Sequence, residues 1–196
     1  MDNFQHLKKN IQNLRGTAHL VKEDAVQSAI RVGRMLFNKT HPDYLDFHIL
    51  NTILGDYFGS RLMSNIREDK GYTYGIGTMM AELHASGYFL IATEVGKDVR
   101  EATLVEIQKE IEILQHELVP EDELELVKNY LLGQLLKSAD GPYSMTDLYL
   151  GVEPYKMDMD FYNKAIESIN GITAERIQEL AKKYLNWSDM TIVSAG

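Results

Sequence analysis

Cysteine is absent from this chain of 196 residues. Its absence excludes disulfide bridges, a thiol nucleophile and any zinc site built from thiolates. Long apolar runs are missing too, because no stretch approaches the ~18 uninterrupted apolar residues of a membrane span. The polar segment from Met1 to Arg15 contains no apolar signal core. We expect a soluble protein, and the sequence leaves its compartment open between cytoplasm and periplasm.

Basic residues are outnumbered. The chain has 20 Lys and Arg against 29 Asp and Glu, which gives a formal net charge of −9 at pH 7. A nucleic-acid-binding protein usually carries a basic patch or stripe. Here the basic residues are scattered, whereas acidic ones form runs such as Glu121–Glu123. We therefore expect neither nucleic acid nor a membrane surface as a partner.

Paired metal ligands are also missing. No two of the 6 histidines lie three, four or five positions apart, so no helical turn offers two zinc ligands. The motifs H-E-x-x-H, H-x-x-E-H and G-x-S-x-G do not occur. The sequence therefore predicts no metal, no cofactor and no zinc-bearing catalytic residue in this chain.

The organisation of the chain follows from its hydrophobic periodicity. Phe4, Leu7, Ile11 and Leu14 have helical spacing, which predicts a connector arm or short helix over residues 1–16. No linker-like composition or internal repeat follows. Residues 17–196 are therefore predicted to form a single domain.

Strand and helix patterns alternate in the first half of that domain. Strands over 17–22 and 25–37 are predicted to form a hairpin with its turn at 23–24. A helix then begins at His41-Pro42-Asp43, and a short helix over 60–69 ends before a left-handed Gly71. Strands over 72–82 and 87–95 are predicted to form a second hairpin with its turn at 84–86.

The second half is mainly helical. The first predicted helix covers 104–118, and the second begins at Pro120 with Leu124, Val127, Leu131 and Leu135 on its inner face. After a loop over 138–143, a third helix covers 144–151 with Ser144 as its N-cap, and a fourth covers 158–169. The last helix has Thr173 as its N-cap, and Ile172 and Ile177 form a hydrophobic staple across its start. A strand over 190–194 closes the domain. The sequence thus predicts an α+β fold, with helices on one face of a mainly antiparallel sheet that the last strand rejoins.

Arg67 and Tyr74 are the candidate site residues. A helix, a turn at Gly71 and a strand would bring the two side chains together at one end of the sheet. A guanidinium and a phenol can both donate to a peptide carbonyl and to the oxyanion that it becomes. The alternative is structural: Arg67 complements a helix C-terminus and Tyr74 is an ordinary strand aromatic.

The same segment resembles the C-terminal-half signature of the insulinase, or pitrilysin-like, M16 peptidases. The matching residues are Leu54-Gly55, Phe58-Gly59-Ser60-Arg61-Leu62, Ile66-Arg67-Glu68, Gly71 and Tyr74. Looser likeness extends over residues 17–196, through 28–34 with 41–44, 119–134, 172–185 and 193–196. The order and spacing of these pieces make the resemblance specific.

The resemblance implies a half domain of the kind found in mitochondrial processing peptidase. In this family a first half binds zinc, and the second half, which this chain resembles, supplies an Arg and a Tyr to the substrate beside the metal. Arg67 and Tyr74 match those positions, and spacing favours Tyr74 over nearby Tyr72. The expected cofactor is zinc in a partner half or subunit, and the expected substrate is a peptide held partly as an added strand.

Family members contain about two domains of this size, so we expect either a piece of a longer protein or a subunit that works beside a zinc-bearing partner. Alone, the chain is expected to be inactive and to dimerise through the face that its partner would cover. Two alternatives stay open. One is a purely structural or assembly subunit without a peptidase role, and the other is an unrelated α+β binding domain.

Overall fold

The computed structural model describes residues 15–196. Its centre is a five-stranded sheet with the spatial order β1-β5-β2-β4-β3, in which only the β1–β5 pair is parallel. The strands are β1 (Gly16–Leu20), β2 (Gln27–Leu36), β3 (Thr73–Leu83), β4 (Ser86–Gly96) and β5 (Thr191–Ala195). The predicted helix within residues 1–16 falls mostly outside the described residues, and Gly16 already belongs to β1.

Six α-helices and one π-helix accompany the sheet in the described part of the chain. They are α1 (Tyr44–Leu54), the π-helix (Met63–Asp69), α2 (Arg100–His116), α3 (Glu121–Ser138), α4 (Pro142–Val152), α5 (Asp160–Gly171) and α6 (Ala174–Tyr184). This arrangement confirms the predicted α+β class. No helix within residues 15–196 is both long enough and apolar enough to cross a membrane.

The core lies between the helices and one face of the sheet. Along β4, Phe89, Ile91, Thr93 and Val95 are buried, while the residues that alternate with them are more accessible. Such alternation with period two places one face of each strand on the core. On the opposite face apolar side chains such as Val193 and Met79 remain exposed. Within residues 15–196, the helices therefore leave one face of the sheet open.

The pairing of β1 differs from the prediction. β1 does not form a hairpin with β2; it lies parallel to β5, with Gly16 opposite Thr191 and Leu20 opposite Ala195. The carbonyl of Leu20 accepts a hydrogen bond from Gly196, and the amide of Lys22 returns one to the carbonyl of Gly196. β5 occupies the place beside β2 that the hairpin would have needed. Its predicted return to the sheet is confirmed.

The N-termini of α6 and α4 can be compared with the predicted N-caps. Thr173 caps α6 as predicted, because its side chain accepts a hydrogen bond from the Arg176 amide at 3.3 Å. The prediction for α4 was wrong: the helix begins at Pro142, so Ser144 lies inside it and is not its N-cap. Proline suits a first turn because it has no N–H to leave unpaired there.

A nearly buried carboxylate joins α1 to α6. Asp43 accepts hydrogen bonds from Arg176 Nη2 at 2.8 Å, Lys183 Nζ at 2.7 Å and the Tyr184 hydroxyl at 2.5 Å. Burial alone would raise the pKa of Asp43, but the hydrogen bonds from Lys183, Tyr184 and Arg176 outweigh it and hold that pKa well below its ordinary range. Arg176 also binds Asp46 at 2.8 Å, so the group forms a small network.

Candidate functional site

The structure brings Arg67 and Tyr74 together through the predicted helix, turn and strand. Arg67 lies in the last turn of the π-helix, and Gly71 turns the chain with a φ of +65° before β3 begins. Positive φ is costly for residues with a Cβ, which explains glycine at this position. The Arg67 Nε then donates a hydrogen bond to the carbonyl oxygen of Tyr74 at 3.0 Å.

Arg67 is held by two further contacts. Its guanidinium carbon lies 4.7 Å from the ring centroid of Phe58, and its Nη1 lies 3.6 Å from a carboxylate oxygen of Glu68. The Arg67 side chain is still 34% exposed. The guanidinium is thus oriented at the surface, where a ligand can reach it.

Tyr74 is displayed by a β-bulge. Thr73 pairs with Val95 and Ile76 pairs with Thr93, so Tyr74 and Gly75 together oppose a single residue of β4. A bulge of this type leaves an extra residue unpaired and re-aims its side chain. The Tyr74 side chain is 94% exposed.

Thr73 secures the bulge. Its hydroxyl oxygen lies 2.7 Å from the carbonyl oxygen of Glu94, to which it donates, and it accepts a hydrogen bond from the Gly75 amide at 3.1 Å. The Thr93 hydroxyl lies 3.0 Å from both the Thr73 hydroxyl and the Gly75 carbonyl. Two threonines therefore satisfy the backbone groups that the bulge removes from the ladder.

The two neighbouring tyrosines have different surroundings. Tyr72 packs against the hydrophobic core and is only partly exposed, whereas Tyr74 projects from the surface. A core tyrosine stabilises the fold, while a projecting phenol can donate to a ligand. The two tyrosines thus differ in exposure, and the choice of Tyr74 over Tyr72 stays a prediction.

A cleft of about 460 Å³ lies beside Tyr74. Its surface is polar and apolar in about equal parts, and its lining comprises Gln27, Arg31, Thr73, Tyr74, Gly75, Ala92, Thr93 and Glu94. The Arg31 guanidinium is tied back by hydrogen bonds from Nη1 to the carbonyls of Ile30 and Thr93, and its Nη2 lies 3.8 Å from Glu94. The cleft thus presents balanced charge beside the exposed phenol.

Metal ligands do not gather in the described region. Between residues 15 and 196 no three His, Asp or Glu side chains lie close enough to hold a metal ion. Around Arg67 and Tyr74 the polar groups are the guanidinium, the Thr73 hydroxyl, backbone carbonyls and the carboxylates of Glu68 and Glu94.

Sequence reasoning missed two parts of this site, the bulge and the aromatic contact of Arg67. Gly75 and Gly77 at the start of β3 were an available signal, because glycine inside a strand often marks a bulge. Phe58 left no periodic signal, because it lies in the irregular segment between α1 and the π-helix.

Comparison with known proteins decides the family. Residues 3–131 match the family model described as the peptidase M16 inactive domain. The chain belongs to this family. The resemblance seen in the sequence is thereby confirmed.

Individual relatives agree with this assignment. The M16 domain is 25% identical over 168 residues to the "Uncharacterized zinc protease YmxG" of Bacillus subtilis (strain 168), covering 83% of this chain and 40% of that protein. The crystal structure of a peptidase M16 inactive domain from Pseudomonas fluorescens superposes with a TM-score of 0.85 at 26% identity, over 94% of this chain and 44% of that one.

A protease from Helicobacter pylori shares the fold, with a TM-score of 0.84 at 17% identity over 92% of this chain and 44% of that one. The chain therefore spans less than half the length of these relatives.

Proposed function

We propose that this M16 inactive domain is the non-catalytic, substrate-binding half of a zinc metalloendopeptidase. Zinc would be held by the other half, present as a separate subunit or as another part of a longer protein. The description of the family as inactive and the zinc-protease name of a relative support this division. So does the absence of a cluster of metal ligands in residues 15–196.

Arg67 and Tyr74 are proposed to contact the substrate carbonyl next to the metal. Within the described residues, the contacts of Arg67 engage Nε and Nη1, which leaves Nη2 for a substrate oxygen. The Tyr74 hydroxyl supplies a second donor from the adjoining strand. Donors aimed at a developing oxyanion stabilise the transition state more than the ground state, because the negative charge grows along the reaction.

The position of β3 suits an extended peptide. β3 is the outermost strand on its side of the sheet, and Tyr74 and Gly75 lie near its beginning. Peptides commonly bind to such edges as an added strand through main-chain hydrogen bonds. The cleft beside Tyr74 could then receive a neighbouring side chain of the substrate.

One observation carries the proposal. Tyr74 is 94% exposed and contributes little to the hydrophobic core, yet it lies in a hydrogen-bonded bulge whose backbone carbonyl binds the Arg67 guanidinium. Features that cost backbone pairing are often kept next to active sites. The structural alternative accounts for Arg67 at a helix end but gives no use for Tyr74.

The test is kinetic. The chain is combined with its zinc-bearing half, and cleavage of an internally quenched fluorogenic peptide is followed in wild type, Arg67→Ala and Tyr74→Phe. Loss of one oxyanion donor lowers kcat by about 10²–10³-fold in other enzymes. We expect losses of this order with a smaller change in KM and an unchanged zinc content.

Tyr143→Phe is the matched control, because Tyr143 is also highly exposed but lies on α4. Wild-type rates for both Arg67→Ala and Tyr74→Phe would exclude the proposed contacts and favour a purely structural subunit. Stoichiometric zinc and unaided peptide hydrolysis by the 196-residue chain would contradict the division of labour itself.

A further inference from the structure

Phe58 is an exposed aromatic residue without a place in the core. It lies between α1 and the π-helix, and its side chain is 63% exposed. Its flanking apolar residues Leu54 and Leu62 are fully buried. Tyr57 packs against the core and lies 5.1 Å, ring to ring, from Tyr130. Phe58 therefore adds little to the packing that its neighbours provide.

The ring of Phe58 faces the guanidinium of Arg67 instead. The separation of 4.7 Å between the guanidinium carbon and the ring centroid is within the ~6 Å range of cation–π attraction. The same side chain is bound through Nε to the carbonyl of Tyr74. A hydrogen bond along one edge and a ring against the planar group restrict different motions of an otherwise rotamer-rich side chain.

We propose that Phe58 is a positioning residue that holds the guanidinium of Arg67 in the plane where it can donate to substrate. Its catalytic consequence rests on the function proposed above, but the restraint itself does not. Phe58 needs no contact with substrate for this role. It acts by narrowing the orientations of Arg67 before substrate binds, which avoids reorganisation during the reaction.

The restraint is tested on the 196-residue chain by NMR of the Arg67 Nε–H group, assigned by its loss in Arg67→Ala. An aromatic ring this close shifts guanidinium proton signals, and an ordered group exchanges slowly with solvent. In Phe58→Ala we expect the ring-induced shift to vanish and exchange to accelerate about two- to fivefold, as an exposed cation–π contact predicts. Phe58→Trp should preserve both properties, because indole provides the strongest π face.

Phe58→Leu separates the π face from bulk. If leucine protects the Nε–H as well as phenylalanine does, simple coverage and not cation–π attraction orients Arg67, and the assignment is overturned. Unaltered shift and exchange in Phe58→Ala would overturn it as well. Backbone amide spectra of each variant show whether the fold is intact.

Activity forms a second arm, measured with the zinc-bearing half. Phe58→Ala is expected to lower kcat about two- to fivefold with little change in KM, whereas Phe58→Trp should keep the wild-type kcat. In an Arg67→Ala background, Phe58→Ala should have no added effect. If Phe58→Ala loses the restraint seen by NMR but Arg67→Ala keeps full activity, the proposed function is contradicted, whereas the positioning of Arg67 by Phe58 still stands. Additive losses in the double variant would contradict positioning through Arg67.

Discussion

Replacing Asp43 by asparagine should weaken the link between α1 and α6. The carboxylate accepts three hydrogen bonds at 2.5–2.8 Å from Arg176, Lys183 and Tyr184, and its side chain is only 12% exposed. Hydrogen bonds to charged groups contribute about 1.5–3 kcal/mol each. Lys183 is half exposed, so its share is discounted for solvent screening. We expect a loss of about 3 kcal/mol in the free energy of unfolding.

Thermal unfolding at pH 7, followed by circular dichroism, measures this loss. In a domain of this size a change of 1 kcal/mol shifts Tm by about 2–4 °C, so Asp43→Asn should lower Tm by about 6–12 °C. Asp160→Asn is the control. Asp160 pairs with Lys164 at 3.0 Å, but its side chain is 54% exposed, so its replacement should leave Tm nearly unchanged.

The pH dependence tests the electrostatic origin of the effect. Because the pKa of Asp43 is lower in the folded than in the unfolded protein, its stabilisation is fully present above the unfolded value of about 3.9 and is lost as pH falls below it. The gap between wild type and Asp43→Asn should stay constant from pH 7 to 5 and narrow below about pH 4. A gap that persists undiminished at pH 3, or no gap at pH 7, would refute this reasoning.

Three further predictions concern the site and the open sheet face. Gly71→Ala should lower the free energy of unfolding by about 1 kcal/mol; a Cβ at this position meets no atom within 4 Å, so the loss comes from the positive φ alone. Gly133→Ala is the control, because Gly133 has equal space but lies inside α3, and there the free energy of unfolding should rise by about 0.5–1 kcal/mol. Denaturant titrations measure both changes. Thr73→Val should lower unfolding free energy by about 1–2 kcal/mol, because it removes the hydroxyl that satisfies the bulge, and equal denaturation midpoints would contradict that role. The chain alone should dimerise as concentration rises, Val193→Glu on the open face should weaken the dimer, and a monomeric sedimentation profile at high concentration would exclude it.

Elements with strong local signals were predictable from the sequence. The inner face of α3 was predicted from spacing alone: Leu124, Val127 and Leu131 are buried, whereas Leu135 is only partly buried. The hairpin of β3 and β4 and the left-handed Gly71 followed from their turn residues. These features depend on neighbours a few residues apart, which is the range over which periodicity and turn chemistry carry information.

The misassigned strand depends on distant residues. A turn-like Glu23-Asp24 beside two strand patterns favours a hairpin, but β1 pairs with β5, and the hydrogen bond between His19 and Ser194 spans 175 positions. No local pattern encodes such a partner. The sequence also predicted that the side chains of Arg67 and Tyr74 would come together; in the structure Arg67 binds the backbone carbonyl of Tyr74. The bulge at Tyr74 and the Phe58 contact of Arg67 depend on tertiary geometry.

The parallel seam between β1 and β5 has a consequence for biosynthesis. During translation Gly16–Leu20 emerges long before Thr191–Ala195, so β1 cannot pair with β5 until almost the whole domain has been synthesised. Pairings between such distant segments form slowly, because they require closure of a very long loop. Until then the unpaired backbone of β1 can pair with other strands, so we expect misfolding or aggregation of nascent chains to begin at this edge of the sheet.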